Sequence, residues 1–230
     1  MKPVRTELAH RANYGVRRGK IEWIVMHYTA NDGDSGMSNA RYFQKALNPV
    51  ASAHYFVDDR EIVQSVPDEY VAYHCGAYKY RHPFCRNYNS IGIEMCDSKR
   101  DGTVKATEQT IRNAAELAAA LCERYGLPVS HIIRHYDVMG KKCPAYWVGN
   151  DGLEKFRKQV EEVGEVVEKS YMVVDGKKVR VCAKCGAVLD KAYSKKAAKA
   201  AAAAESEAPK KRTRKRAQKA AEAPETTENK

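Results

Sequence analysis

Three residues set the first chemical question: His27, His135 and Cys143. His27 closes a mostly apolar run, Ile21 to Met26, that reads as a buried strand. His135 follows the short run His131-Ile132-Ile133, and Cys143 comes eight residues later, directly before Pro144. Two imidazoles and a thiolate form a zinc donor set that leaves a fourth tetrahedral position open. An open position marks catalytic sites, since structural zinc sites are usually closed by four protein ligands. No HExxH and no paired CxxC pattern is present, so the same spacing also fits two core histidines and a buried free cysteine.

Glu94 is a further acid–base candidate. It lies in Ser90–Cys96, a mostly apolar stretch that reads as a central strand. Burying a carboxylate there is costly unless it is paired or used. Its pKa tends to rise, which suits proton transfer near neutral pH. The alternative is a Glu at the exposed end of its strand. Lys141 stands two residues before Cys143, and Lys141 and Lys142 also read as two solvated loop lysines.

The elements that must position these groups alternate strand and helix. Ile21–His27 is expected as a strand and Ser38–Leu47 as a helix capped by Ser38. Ala53–Val57 and Glu61–Gln64 are expected to pair around Asp58-Asp59. Thr107–Tyr125 is the clearest helix, with Thr107 as cap, Gly126 as stop and Pro128 beyond it. His131–Arg134 reads as a short strand, and Leu153–Val163 as a charged amphipathic helix that closes the domain. The expected fold class is α/β, a single mixed sheet flanked by helices.

Taken in order, VMHYTAN (25–31), SAHYFVDDREIVQSVP (52–67), AYHCG (72–76), NSIGIEMC (89–96) and HYDVMGKKCP (135–144) resemble the zinc-dependent N-acetylmuramoyl-L-alanine amidases. That family includes phage lysins and a wall-recycling amidase, and is related to the peptidoglycan recognition proteins. The resemblance spans about Ile21 to Trp147. It implies one Zn2+ held by His27, His135 and Cys143, with Cys143 standing where many members carry Asp. It implies Lys141 as a catalytic lysine and Glu94, in a matching IGIE context, as general base and acid. It also places His74, Asn87 and His54 toward substrate, His54 as a floor residue. Asp137, two residues after His135, reads as a loop-fixing or histidine-orienting group, since a metal-bound histidine usually needs such a partner. One departure stands out. Some members carry a catalytic tyrosine where this chain has Ala53, and Tyr55, two positions on, does not inherit that role.

Composition frames the rest. The 230 residues carry a net charge of +11. Residues 191–230 hold 12 Lys/Arg and 5 Asp/Glu, so the tail carries +7 and the first 190 residues only +4. The tail has 13 alanines and no Leu, Ile, Val, Phe or Trp, so it is expected to be disordered. The expected organisation is a catalytic domain at 1–165, a small hairpin/CxxC segment at 166–192 and the basic tail at 193–230. Within the segment, a hairpin turns at Asp175-Gly176, and Cys182-x-x-Cys185 is one knuckle without its partner. Cys75, Cys85, Cys96 and Cys122 read as small buried or semi-buried residues; Cys75 and Cys85 flank the expected groove and could pair in an oxidising wall.

No stretch approaches the 18 apolar residues of a membrane span, and the first twenty residues hold no secretory apolar run. With seven cysteines, an odd number, this leads us to expect reduced thiols and synthesis in a bacterial or host cytoplasm. The partner implied is peptidoglycan. The tail adds charge attraction to anionic wall polymers or plain solubility, and without interleaved aromatics any nucleic-acid binding by KKRTRKR (210–216) would be non-specific. The expected activity is hydrolysis of the amide between N-acetylmuramic acid and L-alanine by a phage-type lysin. The alternatives are a non-catalytic peptidoglycan-binding module of the same fold and an intracellular muropeptide-recycling amidase.

Overall fold

A computed structural model describes residues 1–168, 171–174, 177–181 and 188–190. The chain divides into two units, Met1–Ser170 and a second that begins at Tyr171. The first unit holds, in order, β1 (Val4–Thr6), β2 (Tyr14–Val16), β3 (Trp23–Tyr28), α1 (Gly36–Tyr42), β4 (Tyr55–Val57), β5 (Ile62–Gln64) and β6 (Tyr70–Ala72). There follow β7 (Ser90–Met95), α2 (Glu108–Tyr125), β8 (Ile132–Arg134), α3 (His135–Met139) and α4 (Gly152–Glu168).

Six strands form one mixed sheet in the order β1-β5-β4-β7-β3-β8. Only β4 and β5 run antiparallel, and every other neighbouring pair is parallel. The central pair fixes the site: Trp23 lies opposite Ser90, Val25 opposite Gly92, and His27 opposite Glu94.

Side chains alternate across a strand. Ile24, Met26, Ile91, Ile93, Met95 and Ile132 therefore share one face, where they bury against Leu117 and Leu121 of α2 and Phe156 and Val160 of α4. Burial of each large apolar side chain contributes about 1.5–3 kcal/mol. The same alternation turns Val25, His27, Ser90, Gly92 and Glu94 to the opposite face. There α1 packs Ala40 against Phe56 and Val63, and Val25 joins Cys75, Cys85, Ile133 and Val138 in a smaller cluster. The α2/α4 face is thus a structural core, and the other face is left for chemistry.

Helix α2 starts and stops as its residue types dictate. Thr107 Oγ1 accepts from the Thr110 amide at 3.1 Å, and Gly126 leaves the helix in the left-handed region at φ 64°. Helix α1 differs from the expected Ser38–Leu47. Its cap is Ser35, whose Oγ accepts from the Ser38 amide at 3.1 Å. It ends at Tyr42 because Asn13 claims the backbone beyond: Asn13 Nδ2 donates to the Phe43 and Lys45 carbonyls, and its Oδ1 accepts from the Leu47 amide.

A side ladder, β2 with β6, forms outside the main sheet. Helix α4 runs past the expected Val163, so a domain boundary at 165 falls inside it. In the second unit β9 (Tyr171–Val174), β10 (Lys177–Val181) and β11 (Val188–Asp190) form an antiparallel sheet in the order β11-β10-β9. Val174 pairs with Lys177 across the two residues expected to turn. The Cys182/Cys185 knuckle and the basic tail lie outside the described residues. No helix among the described residues is long and apolar enough to cross a membrane.

Candidate active site and metal centre

The three proposed ligands come from two kinds of element. His27 projects from the C-terminal end of β3, deep in the sheet. His135 is the first residue of α3, immediately after β8, rather than part of the strand run that precedes it. Cys143 lies in the loop beyond α3. All three are buried, and one donor atom from each falls within 4.8 Å of the others. Cys143 Sγ stands 3.8 Å from His27 Nδ1. That is shorter than a Zn–S bond plus a Zn–N bond, about 4.3 Å, so one ion could touch both.

Two further observations fit a cation here. His135 Nδ1 is buried with no hydrogen-bond partner. Its other nitrogen, Nε2, is taken up 2.8 Å from Met139 Sδ, one helical turn on. A buried nitrogen left without a partner is costly, and a metal would satisfy it. Burial depresses the pKa of both rings, with neighbouring cationic groups adding to the effect: His27 well below its usual value, His135 to about 3. Both rings are therefore neutral donors at physiological pH. Burial pushes the Cys143 thiol up to about 12, with Glu94 adding and the Tyr28 backbone N–H and Lys141 opposing. A bound cation reverses that balance and favours the thiolate.

Glu94 stands beside this set. Its Oε1 is 3.8 Å from His27 Nδ1, and its Oε2 is buried without a partner. Desolvation raises its pKa to about 7, Lys141 opposing and Asp34 adding. Lys141 is exposed, yet its charge is felt at His27, Glu94, His135 and Cys143. The loop carrying it is tied by two backbone bonds, Tyr136 N–H to the Cys143 carbonyl at 3.0 Å and Cys143 N–H to the Lys141 carbonyl at 2.7 Å.

The residues expected to face substrate are held by hydrogen bonds of their own. His74 is half-buried, and both its ring nitrogens are engaged: Nδ1 with His27 Nε2 at 3.0 Å and Nε2 with Ser90 Oγ at 3.1 Å. His54 is fully buried. Its Nδ1 accepts from the Gly92 amide at 3.0 Å and its Nε2 faces the Tyr70 carbonyl at 3.2 Å, so it substitutes for strand pairing under the site. Arg17 Nη2 lies 3.0 Å from the same Nε2, and the His74 ring stands 5.7 Å from the His54 ring, centroid to centroid. Asn87 uses Oδ1 to accept from the His74 and Cys75 amides, pinning the loop that presents His74. Asp137 fixes a loop and leaves His135 alone. It pairs with Arg134, whose guanidinium also donates to the Trp147 carbonyl.

Ala53 is buried, and Tyr55 sends its hydroxyl to Asp68 at 2.7 Å, within a network that includes Tyr125 and Arg124. The free thiols of Cys75 and Cys85 lie buried side by side. Two residues went unnoticed in the sequence. Arg17 donates to the carbonyls of Asp68, Tyr70, Tyr88 and Ser90, stitching β6 to β7. Ser90 stands behind His74, and the alternation Ser-x-Gly-x-Glu across 90–94 was its available signal.

The family model described as N-acetylmuramoyl-L-alanine amidase matches residues 17–146. The chain belongs to that family. The matched segment contains every proposed ligand, Glu94 and Lys141. A probable N-acetylmuramoyl-L-alanine amidase of Bacillus licheniformis is 40% identical over 188 residues, covering 78% of this chain and 52% of the relative. CwlL of the same species is 41% identical over 159 residues, covering 65% of this chain and 43% of the relative. The chain thus spans about half the length of the curated relatives it matches. Among solved structures, the catalytic domain of XlyA superposes with a TM-score of 0.59 at 25% identity, covering 69% of this chain and 99% of that one.

Proposed function

We propose that this chain hydrolyses the amide joining N-acetylmuramic acid to L-alanine in peptidoglycan, as a lysin-type amidase that holds one zinc ion with His27, His135 and Cys143. The single observation that carries this reading is the donor set itself. His27 Nδ1 and Cys143 Sγ face each other and His135 Nδ1 is buried without a partner, all beside Glu94, whose Oε2 is likewise buried without a partner. A recognition module that only binds wall fragments has no need of such a set. The resemblance to Bacillus amidases, and to a mutant endolysin from Bacillus subtilis with a TM-score of 0.59 at 26% identity, supports the lytic assignment.

When bound there, zinc supplies Lewis-acid polarisation and an acidified water. The protein supplies the rest. Burial raises the Glu94 pKa to about 7 in the metal-free chain, and a cation bound beside it would favour the carboxylate, the form that acts as base. The Glu94 carboxylate accepts a proton from the attacking water and its acid form returns one to the departing amine nitrogen. The Lys141 charge, felt at Glu94 and at all three donors, would stabilise the negative charge that grows on the carbonyl oxygen. With Ala53 in place of a tyrosine, proton transfer rests on Glu94.

Release of free amino groups from purified peptidoglycan, with chelator and with zinc restored, tests the reading. Chelator-sensitive release recovered by zinc is the expected result. Sacculus binding with no release would overturn it in favour of a recognition module. Glu94→Gln should retain zinc while turnover falls by on the order of 10²–10⁴. Full activity in that variant would remove Glu94 from the mechanism.

A further inference from the structure

We infer that Ser90 and His74 are positioning residues that fix the tautomer of His27, leaving Nδ1 as its bare, metal-facing nitrogen. The chain of hydrogen bonds runs inward from a group that can only accept. Ser90 Oγ lies 2.7 Å from the Arg86 carbonyl, so the hydroxyl donates there. A serine hydroxyl carries one proton. Toward His74 Nε2, at 3.1 Å, Ser90 must therefore accept, which puts the His74 proton on Nε2. A neutral His74 then presents a bare Nδ1 to His27 Nε2 at 3.0 Å, and His27 must be the donor. With its proton on Nε2, neutral His27 has its lone pair on Nδ1. That is the nitrogen 3.8 Å from both Cys143 Sγ and Glu94 Oε1.

The anchor of this chain is itself held in place. The Arg86 guanidinium donates to the His82 and Cys85 carbonyls and lies 3.9 Å above the Tyr80 ring, and the Arg86 amide donates to Asn89 Oδ1. The seat for His74 is cut into β7. A Cβ at Gly92 would stand 2.6 Å from His74 Cγ, so the strand must be bare there. Three successive positions on one face of β7 thus have separate roles. Ser90 orients His74, Gly92 admits it, and Glu94 reaches the reacting centre. Partners that fix a ligand histidine's tautomer typically control metal affinity by 10–100-fold, and here the partner is a histidine–serine pair instead of a carboxylate.

The consequence for metal binding rests on the zinc reading above, but the tautomer is a property of the metal-free chain. Long-range 1H–15N spectra of the full chain with 15N-labelled histidine, free of metal, read it directly. The expected pattern is a proton on Nε2 of both His27 and His74. A proton on Nδ1 of His27 overturns the inference. In Ser90→Ala the two rings should lose their single tautomer, and Zn2+ affinity, measured by competition with a chelating dye, should fall by on the order of 10–100-fold. Ser90→Thr, which keeps the hydroxyl, should restore both. Unchanged affinity and tautomer in Ser90→Ala also overturn the inference. Wild-type spectra as expected, without Zn2+ binding, support this assignment and sink the zinc reading instead.

Discussion

The two sides of the donor set are built by different means. His27 is held from the sheet side: β3 is paired on both edges, and a directional chain through His74 and Ser90 ends on the Arg86 carbonyl. His135 and Cys143 are held from the loop side. His135 Nε2 finds only a thioether, a weak acceptor, and Cys143 is placed by two backbone bonds across the turn after α3. The contrast shows where precision is stored. The sheet side fixes which atom is offered and in which direction, while the loop side fixes mainly where the donor sits.

The largest effects should come from exchanging ligands. His27→Ala is expected to abolish zinc binding and amidase activity together, because nothing else on β3 can replace an Nδ1 aimed from beneath. Cys143→Asp should retain zinc with reduced affinity, because a carboxylate oxygen ligates at about 2.0–2.2 Å and the loop can adjust to a shorter donor. Equilibrium dialysis with metal analysis checks both. Equal loss in the two variants would erase the distinction between the sides.

A smaller and sharper test uses one glycine from each side. Gly92→Ala drives a Cβ to 2.6–2.9 Å from three atoms of the His74 ring. The ring is braced by His27 and Ser90 and has nowhere to go. Stability should fall by about 1–3 kcal/mol and zinc affinity should fall with it. Gly140 sits at φ 87°, where a side chain costs about 1–2 kcal/mol, and its new Cβ would meet the flexible Arg81 side chain at 2.9 Å. Gly140→Ala should therefore lower the urea midpoint by a comparable amount while leaving zinc affinity nearly unchanged. If both variants lose affinity alike, the loop is as tightly specified as the sheet.

How much of this was legible in the sequence follows from the range of the forces involved. The α2 boundaries were legible because Thr107 and Gly126 act on their own backbone neighbours. The end of α1 was not, because Asn13 takes its carbonyls from some thirty residues away. Strand β1 is a three-residue exposed edge that carries no apolar pattern of its own. The donor types and Glu94 were readable from chemistry and from resemblance to a family. Their meeting was not, since it depends on the register that sets His27 opposite Glu94. His74, His54 and Asn87 were recognised as belonging near the site, but which way each faces is decided by hydrogen bonds to Ser90, Gly92 and the 74–75 backbone. No local pattern encodes those partners.

The smallest expected effect concerns pH and the floor beneath the sheet side. Because the Gly92 N–H points at its Nδ1, His54 cannot take a second proton without setting two donors against each other. Burial, together with His74 and Arg17, holds its pKa well below the usual value. The unfolded chain, with a histidine pKa of about 6.5, therefore binds the proton first. Unfolding takes up a proton in that window, so stability is complete above about pH 6.5 and is lost as the pH falls below it. The slope contributed by one such histidine approaches 1.4 kcal/mol, roughly, per pH unit. Urea unfolding of the wild-type chain and of His54→Gln between pH 7.5 and 5.5 checks this. The variant should start less stable but decline less steeply. Parallel declines would mean that His54 is protonated in the folded chain, and that the sheet side is held less rigidly than its hydrogen bonds require.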